Sequence, residues 1–149
     1  MQELGRITGL SGGLYTVETE RDFVFCYAKG AFRKSGISPV VGDLVRILRE
    51  DDGQKDKKND GRGVICDVLP RKNRLIRPPL ANLDALFILA AVKEPDPILL
   101  NVDKLLAIAC HNGIRAYLVF TKKELAPQRA KELCSLYQNA GFSAFAVSR

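Results

Sequence analysis

The hydrophobic period of this chain changes once, near residue 84, and the two halves call for different architectures. Before that point, apolar residues alternate in short runs broken by glycine, which is the pattern of strands rather than helices. Residues 4–10 lead into Ser11-Gly12-Gly13, a turn signal, and residues 14–19 read as the returning strand. Residues 23–28 form a third strand, rich in aromatic and β-branched side chains. After a loop over 29–42, residues 44–48 alternate with period two. Residues 63–69 are the fifth strand, preceded by a charged stretch over 50–62 with the composition of a mobile hairpin loop. Five short strands with a long loop before the fourth predict a five-stranded OB-fold barrel, an RNA-binding type of domain, over residues 1–70.

From residue 84 onward, continuous apolar runs alternate with helical spacing. Residues 85–92 form an apolar strand of the kind covered by helices on both faces. Asp96 and Pro97 supply an N-cap and a first-turn proline, Ile98, Val102, Leu105, Leu106 and Ala109 recur on one helical face, and Asn112-Gly113 ends the helix. A second strand over 115–120 follows. Pro127 then opens a helix with the core face Ala130, Leu133, Cys134, Tyr137 and Ala140, ended by Gly141, and residues 142–147 are a third strand. The order β-α-β-α-β predicts a parallel sheet with right-handed crossovers. The fold class is therefore β + α/β: the barrel, a basic linker over 71–83, and a partial three-stranded α/β domain over 84–149 that stops on its third strand and exposes a sheet edge through which the chain could form a homo-oligomer.

Composition narrows the function classes. The longest apolar run, 85–92, falls far short of the roughly 20 residues of a membrane span. The first residues lack the basic and apolar regions of a signal peptide, so a cytoplasmic protein without membrane contact is expected. Cys26, Cys66, Cys110 and Cys134 are widely spaced with no CxxC pair, which predicts reduced and mostly buried thiols. With His111 as the single histidine, no metal site is expected. A net charge of +6 favours a polyanionic partner. The cations cluster in two acid-free stretches, with Lys29, Arg33 and Lys34 in residues 23–42 and Arg71, Lys72, Arg74 and Arg77 in residues 68–83. Tyr15, Phe23, Phe25, Tyr27 and Phe32 lie beside them, either as stacking surfaces for RNA bases or as barrel core.

Four strings occur in order: Gly30-Ala31-Phe32-Arg33-Lys34, Pro39-Val40-Val41-Gly42-Asp43, Pro70-Arg71-Lys72-Asn73-Arg74-Leu75-Ile76-Arg77-Pro78-Pro79, and Ala81-Asn82-Leu83-Asp84. Together they resemble the ribosome small-subunit-dependent GTPase A family (RsgA/YjeQ), circularly permuted GTPases of bacterial ribosome assembly, over nearly all of the chain. The resemblance implies the N-terminal portion of a ribosome-biogenesis GTPase that binds the small ribosomal subunit and its rRNA. When complete, such a protein binds and hydrolyses GTP with Mg2+ during 30S maturation. The family's base-recognition motif falls on Thr121-Lys122-Lys123-Glu124, where Glu124 stands in place of the usual aspartate and is one methylene longer. The following motif falls on Val147-Ser148, with Arg149 in the alanine place. Thr121, Lys122, Glu124 and Ser148 are thus the candidate guanine-binding residues. No GxxxxGK[ST] occurs, and Asp60-Gly61-Arg62-Gly63 spells DxxG ahead of its place. The family's zinc module is absent as well, so no catalytic residue is assigned and strong GTP or GDP binding is not expected. The alternative is a stand-alone RNA-binding OB module with a degenerate, non-catalytic α/β half. An in-frame GxxxxGKS downstream of codon 149 would favour the first reading and a stop codon the second.

Overall fold

The computed structural model describes residues 2–30, 32, 37–49 and 62–148. The expectations placed on Arg33, Lys34, the charged stretch 50–61 and Arg149 lie outside these residues. The chain divides into two compact units, Met1–Leu83 and Asp84–Arg149.

In the first unit, β1 (Gln2–Ser11), β2 (Leu14–Thr19), β3 (Phe23–Ala28), β4 (Leu44–Arg49) and β5 (Gly63–Val68) close into a barrel with the neighbour order β1-β2-β3-β5-β4. This is the expected OB-like barrel. Closure depends on the length of β1, whose Gly5 stands opposite Thr19 of β2 and Val45 of β4 at once. The pair β3–β5 is parallel and the other pairs are antiparallel. Alternation places Ile7, Val17, Val24, Cys26, Val45, Ile47 and Ile65 inside. Most of them are β-branched, so the small barrel fills without large rings. Of the five aromatics with two possible roles, Tyr15 and Phe32 pack against this core. Phe23, Phe25 and Tyr27 point outward at 61%, 53% and 45% exposure.

Residues 71–83, read from sequence as a linker, carry a short hairpin of β6 (Arg74–Leu75) and β7 (Leu80–Ala81) within the first unit. The Ala81 N–H donates to the Val41 carbonyl at 2.9 Å, and the Asn82 amide donates to the Gly42 carbonyl at 3.0 Å. Gly42 has φ +93°, and a Cβ there would lie 2.0 Å from the Ala81 carbonyl oxygen. Only glycine allows this approach.

In the second unit, β8 (Ala85–Ala91), α1 (Leu99–His111), β9 (Arg115–Thr121), a single 3-10 turn (Lys123–Leu125), α2 (Pro127–Asn139) and β10 (Ser143–Ala146) alternate in chain order. The sheet is parallel with order β10-β9-β8, and Leu118 is opposite both Ile88 and Ala144. One core gathers Val102 and Leu106 of α1 with Ala130, Leu133 and Tyr137 of α2 around Ile88, Leu118, Phe120 and Ala144. Both helices therefore cover the same face, which corrects the expectation that β8 is covered on both. Two right-handed crossovers stepping in one direction across a sheet leave their helices on one side. Phe87, Leu89 and Phe145 stay exposed on the other face, where Phe87 stacks on Tyr117 at 5.0 Å.

Two further corrections concern helix starts and faces. α1 begins at Leu99 with no side-chain cap at Ile98, and Asp96 pairs with Arg129 at 3.0 Å. Ile98, Leu105 and Ala140 are exposed rather than core. All four cysteines are free, but only Cys26 is buried and Cys110 is exposed, so the thiols are less buried than expected. Among the described residues, no helix is long and apolar enough to cross a membrane.

Candidate functional site

The carboxyl ends of the three parallel strands converge. β9 ends at Thr121, and Lys122 then takes the left-handed conformation, with φ 59° and ψ 37°, turning the chain into Lys123–Leu125. The Lys123 N–H donates to the Val147 carbonyl at 3.1 Å, and the Val147 N–H donates to the Phe120 carbonyl at 2.9 Å. These bonds draw Ser148 beside the loop holding Thr121, Lys122 and Glu124. The Lys122 ammonium donates to the Glu94 carbonyl in the β8–α1 connection, tying the first strand end to the second. Glu94 also has a positive φ, 55°. Two bonded non-glycine residues in this sparsely populated region mark a constrained loop pair of the sort found at functional sites. Open α/β sheets bind ligands at this edge.

Thr121 is half-buried, whereas Lys122, Glu124 and Ser148 are exposed. Among the described residues no side chain pairs with Glu124, so its carboxylate is open to accept two donors from a planar base edge. No group of three or more metal-ligating side chains occurs among the described residues.

The basic residues of the first unit divide into two kinds. Arg71 donates to both carboxylate oxygens of the fully buried Asp43, at 2.7 and 2.8 Å, and to the Ser38 carbonyl at 2.8 Å. Donation to the Asp43 carboxylate holds the guanidinium even more firmly protonated than usual. Arg71 thus serves the fold. Lys29, Lys72, Arg74 and Arg77 are exposed. Arg74 and Arg77 sit on the hairpin that Arg71 and Asn82 anchor. Lys29 lines a cleft with Ser38 and Pro39, the segment that Arg71 also grips, so the two basic stretches border one end of the barrel.

One contact escaped the sequence reading. The Arg62 guanidinium lies 5.6 Å from the Tyr27 ring centroid and donates to its hydroxyl at 2.6 Å. The pair is 35 residues apart and meets only because β3 and β5 are neighbours.

The two units make this an OB-barrel protein carrying a partial, GTPase-like α/β sheet. Residues 4–55 match the model of the RsgA N-terminal domain, and residues 68–149 match that of the RsgA GTPase. The chain belongs to the RsgA family. It is 34% identical over 145 residues to the small ribosomal subunit biogenesis GTPase RsgA of Caldanaerobacter subterraneus, covering 97% of this chain and 46% of that protein. It is 36% identical to the RsgA of Ruminiclostridium cellulolyticum, covering 98% and 47%. The crystal structure of YjeQ from Thermotoga maritima superposes with a TM-score of 0.79 at 28% identity, over 99% of this chain and 52% of that one. YloQ, described as a circularly permuted GTPase, superposes with a TM-score of 0.77 at 26% identity, over 100% and 52%. The chain spans about half the length of the curated relatives it matches.

Proposed function

We propose that this chain supplies the RNA-contacting barrel and the guanine-reading half of a GTPase that works in the cytoplasm on the small ribosomal subunit. The observation that carries the reading is the in-order match of the two RsgA models to the sequence, one falling in the barrel unit and the other mainly in the α/β unit. Lys29, Lys72, Arg74 and Arg77, with Arg33 and Lys34 from the sequence, hold ribosomal RNA phosphates. Thr121, Lys122, Glu124 and Ser148 read the guanine base. Hydrolysis of GTP with Mg2+ belongs to the complete protein, where a phosphate-binding loop supplies the charge neutralisation that phosphoryl transfer needs. The alternative is a stand-alone RNA-binding module with a non-catalytic α/β half, favoured by Glu124 in the aspartate position. In isolation, the open face with Phe87 and Leu89 and the free β8 edge favour self-association.

The test is RNA binding across salt concentrations. With about four phosphate contacts, log affinity for small-subunit rRNA should fall with log salt at a slope of roughly −3 to −4. Arg74→Ala/Arg77→Ala should make the slope shallower by about two. A salt-independent wild type, or a double variant with the wild-type slope, defeats the assignment of this surface.

A further inference from the structure

We propose that the outer face of β3 is a base-stacking track for unpaired RNA, built from Phe23, Phe25 and Tyr27. The inference deepens the RNA-binding reading above and rests on it. Phe23, Phe25 and Tyr27 occupy alternate positions, so all three leave the same face of the strand, and each is about half exposed or more. The barrel core is filled without them. Three large rings held in water on one strand need a partner. The β2–β3 face is where OB folds bind oligonucleotides.

The spacing suits bases. Alternate side chains on a strand are about 7 Å apart, roughly twice the 3.4 Å rise of stacked nucleotides, which leaves room for one base beside each ring. The rings ignore base identity, because every base offers a π-face. Charge gives the track a direction. At the Tyr27 end stand Lys29, two residues on, and Arg62, whose guanidinium lies over the Tyr27 ring. Beyond Tyr27 the track opens into a cleft of about 270 Å³ bordered by Tyr15, Phe32 and Lys29. At the other end Glu18 is the strand neighbour of Phe23, while Asp22 is neutralised by Arg49. Backbone phosphates therefore favour the Tyr27 end, so Phe25 and Tyr27 hold bases more strongly than Phe23. A protein partner would gain from the apolar rings but not from the cation placed on Tyr27.

The test uses the full chain with a fluorescein-labelled oligoadenylate of about 12 nucleotides, within the roughly 4–16 nucleotide site of an OB fold, and a blunt RNA duplex of equal length. Wild type should prefer the single strand. Phe25→Ala/Tyr27→Ala should weaken that binding by about ten-fold or more per ring with the salt slope unchanged, because no charge is removed, and Phe23→Ala should matter less. The chain has no tryptophan, so Phe25→Trp provides a single reporter that should keep affinity and be quenched by the oligonucleotide. Wild-type affinity in the double variant, or an unquenched Trp, overturns the track. So does a double variant that loses the ribosomal subunit while keeping the oligonucleotide, since that marks a protein contact. If the aromatic variants bind normally while Arg74→Ala/Arg77→Ala lowers the salt slope, stacking fails and the RNA-binding reading stands. If wild type binds neither RNA, both fall.

Discussion

Asp43 is fully buried with a charge that one arginine satisfies almost alone. Arg71 reaches it from 28 residues away with two short hydrogen bonds, and the Val40 N–H supplies a third at 2.8 Å. A buried carboxylate tolerates that position only while the fork of donors stays in place. Arg71→Ala should therefore lower stability by about 3–5 kcal/mol, read as a fall in the urea midpoint. Arg71→Lys should restore only part of this, because an ammonium cannot replace the bidentate fork. A wild-type midpoint in Arg71→Ala would contradict the structural role. This distinction was not legible in the sequence. The seven cations of the two acid-free stretches look alike in one dimension, and the choice of Arg71 depends on the loop before β4 meeting the hairpin after β5. Exposure of the β3 rings was equally hidden, since a strand with alternating aromatics reads the same whichever face turns inward.

At the scale of elements, strands and helices were mostly visible, because periods of two and 3.6 are local properties of the chain. β2 and β3 fall on the residues the alternation marks, and Gly113 ends α1 as its position suggested, with φ 63°. The covering of the β8–β10 sheet was not visible, because it follows from the direction in which successive crossovers step. The shared face gives a measurable contact between the helices. The Tyr137 hydroxyl of α2 donates to an Asp103 carboxylate oxygen of α1 at 2.8 Å. Burial first, then the Asp103 hydrogen bond and charge, pushes the Tyr137 hydroxyl up to about 12 from its usual 10. A pKa raised on folding gives stability that is whole below pH 10 and lost as pH rises through about 12. Thermal unfolding followed by circular dichroism should show wild type losing stability over that window more steeply than Tyr137→Phe, and parallel curves would refute it. In the barrel unit, Gly42→Ala should force β7 away from Gly42, because the new Cβ meets the Ala81 carbonyl at 2.0 Å. The Ala81 and Asn82 amides should then exchange with deuterium faster than in wild type, and unchanged protection would show that the loop absorbs the methyl.

For the whole molecule, the family was readable from the string around residues 70–84, and the structure shows what several residues of that string do. Arg71, Asn73, Ala81 and Asn82 each make bonds that bind the hairpin to itself or to residues 38–43. The proposed base-reading loop was suggested only by the family resemblance, since Thr121-Lys122-Lys123-Glu124 looks like any exposed turn until Val147 and Glu94 are seen bonded to it. The proposed function assigns base reading to that edge, while the 149 residues contain no GxxxxGK[ST] string. Phosphoryl transfer is driven mainly by positioning and neutralising phosphates. The 149-residue chain, purified to remove contaminating GTPases, should therefore release no phosphate from GTP above background and should bind GDP only weakly. When the sequence is joined to a segment carrying GxxxxGK[ST], binding should strengthen. In that longer chain Glu124→Asp should tighten it further, because the shorter side chain sets the carboxylate at the distance the base edge requires. The measurements are phosphate release and GDP titration calorimetry. Turnover by the short chain would refute the division of labour between base and phosphate sites. Unchanged or weaker GDP binding by Glu124→Asp in the longer chain would show that Glu124 does not hold the guanine.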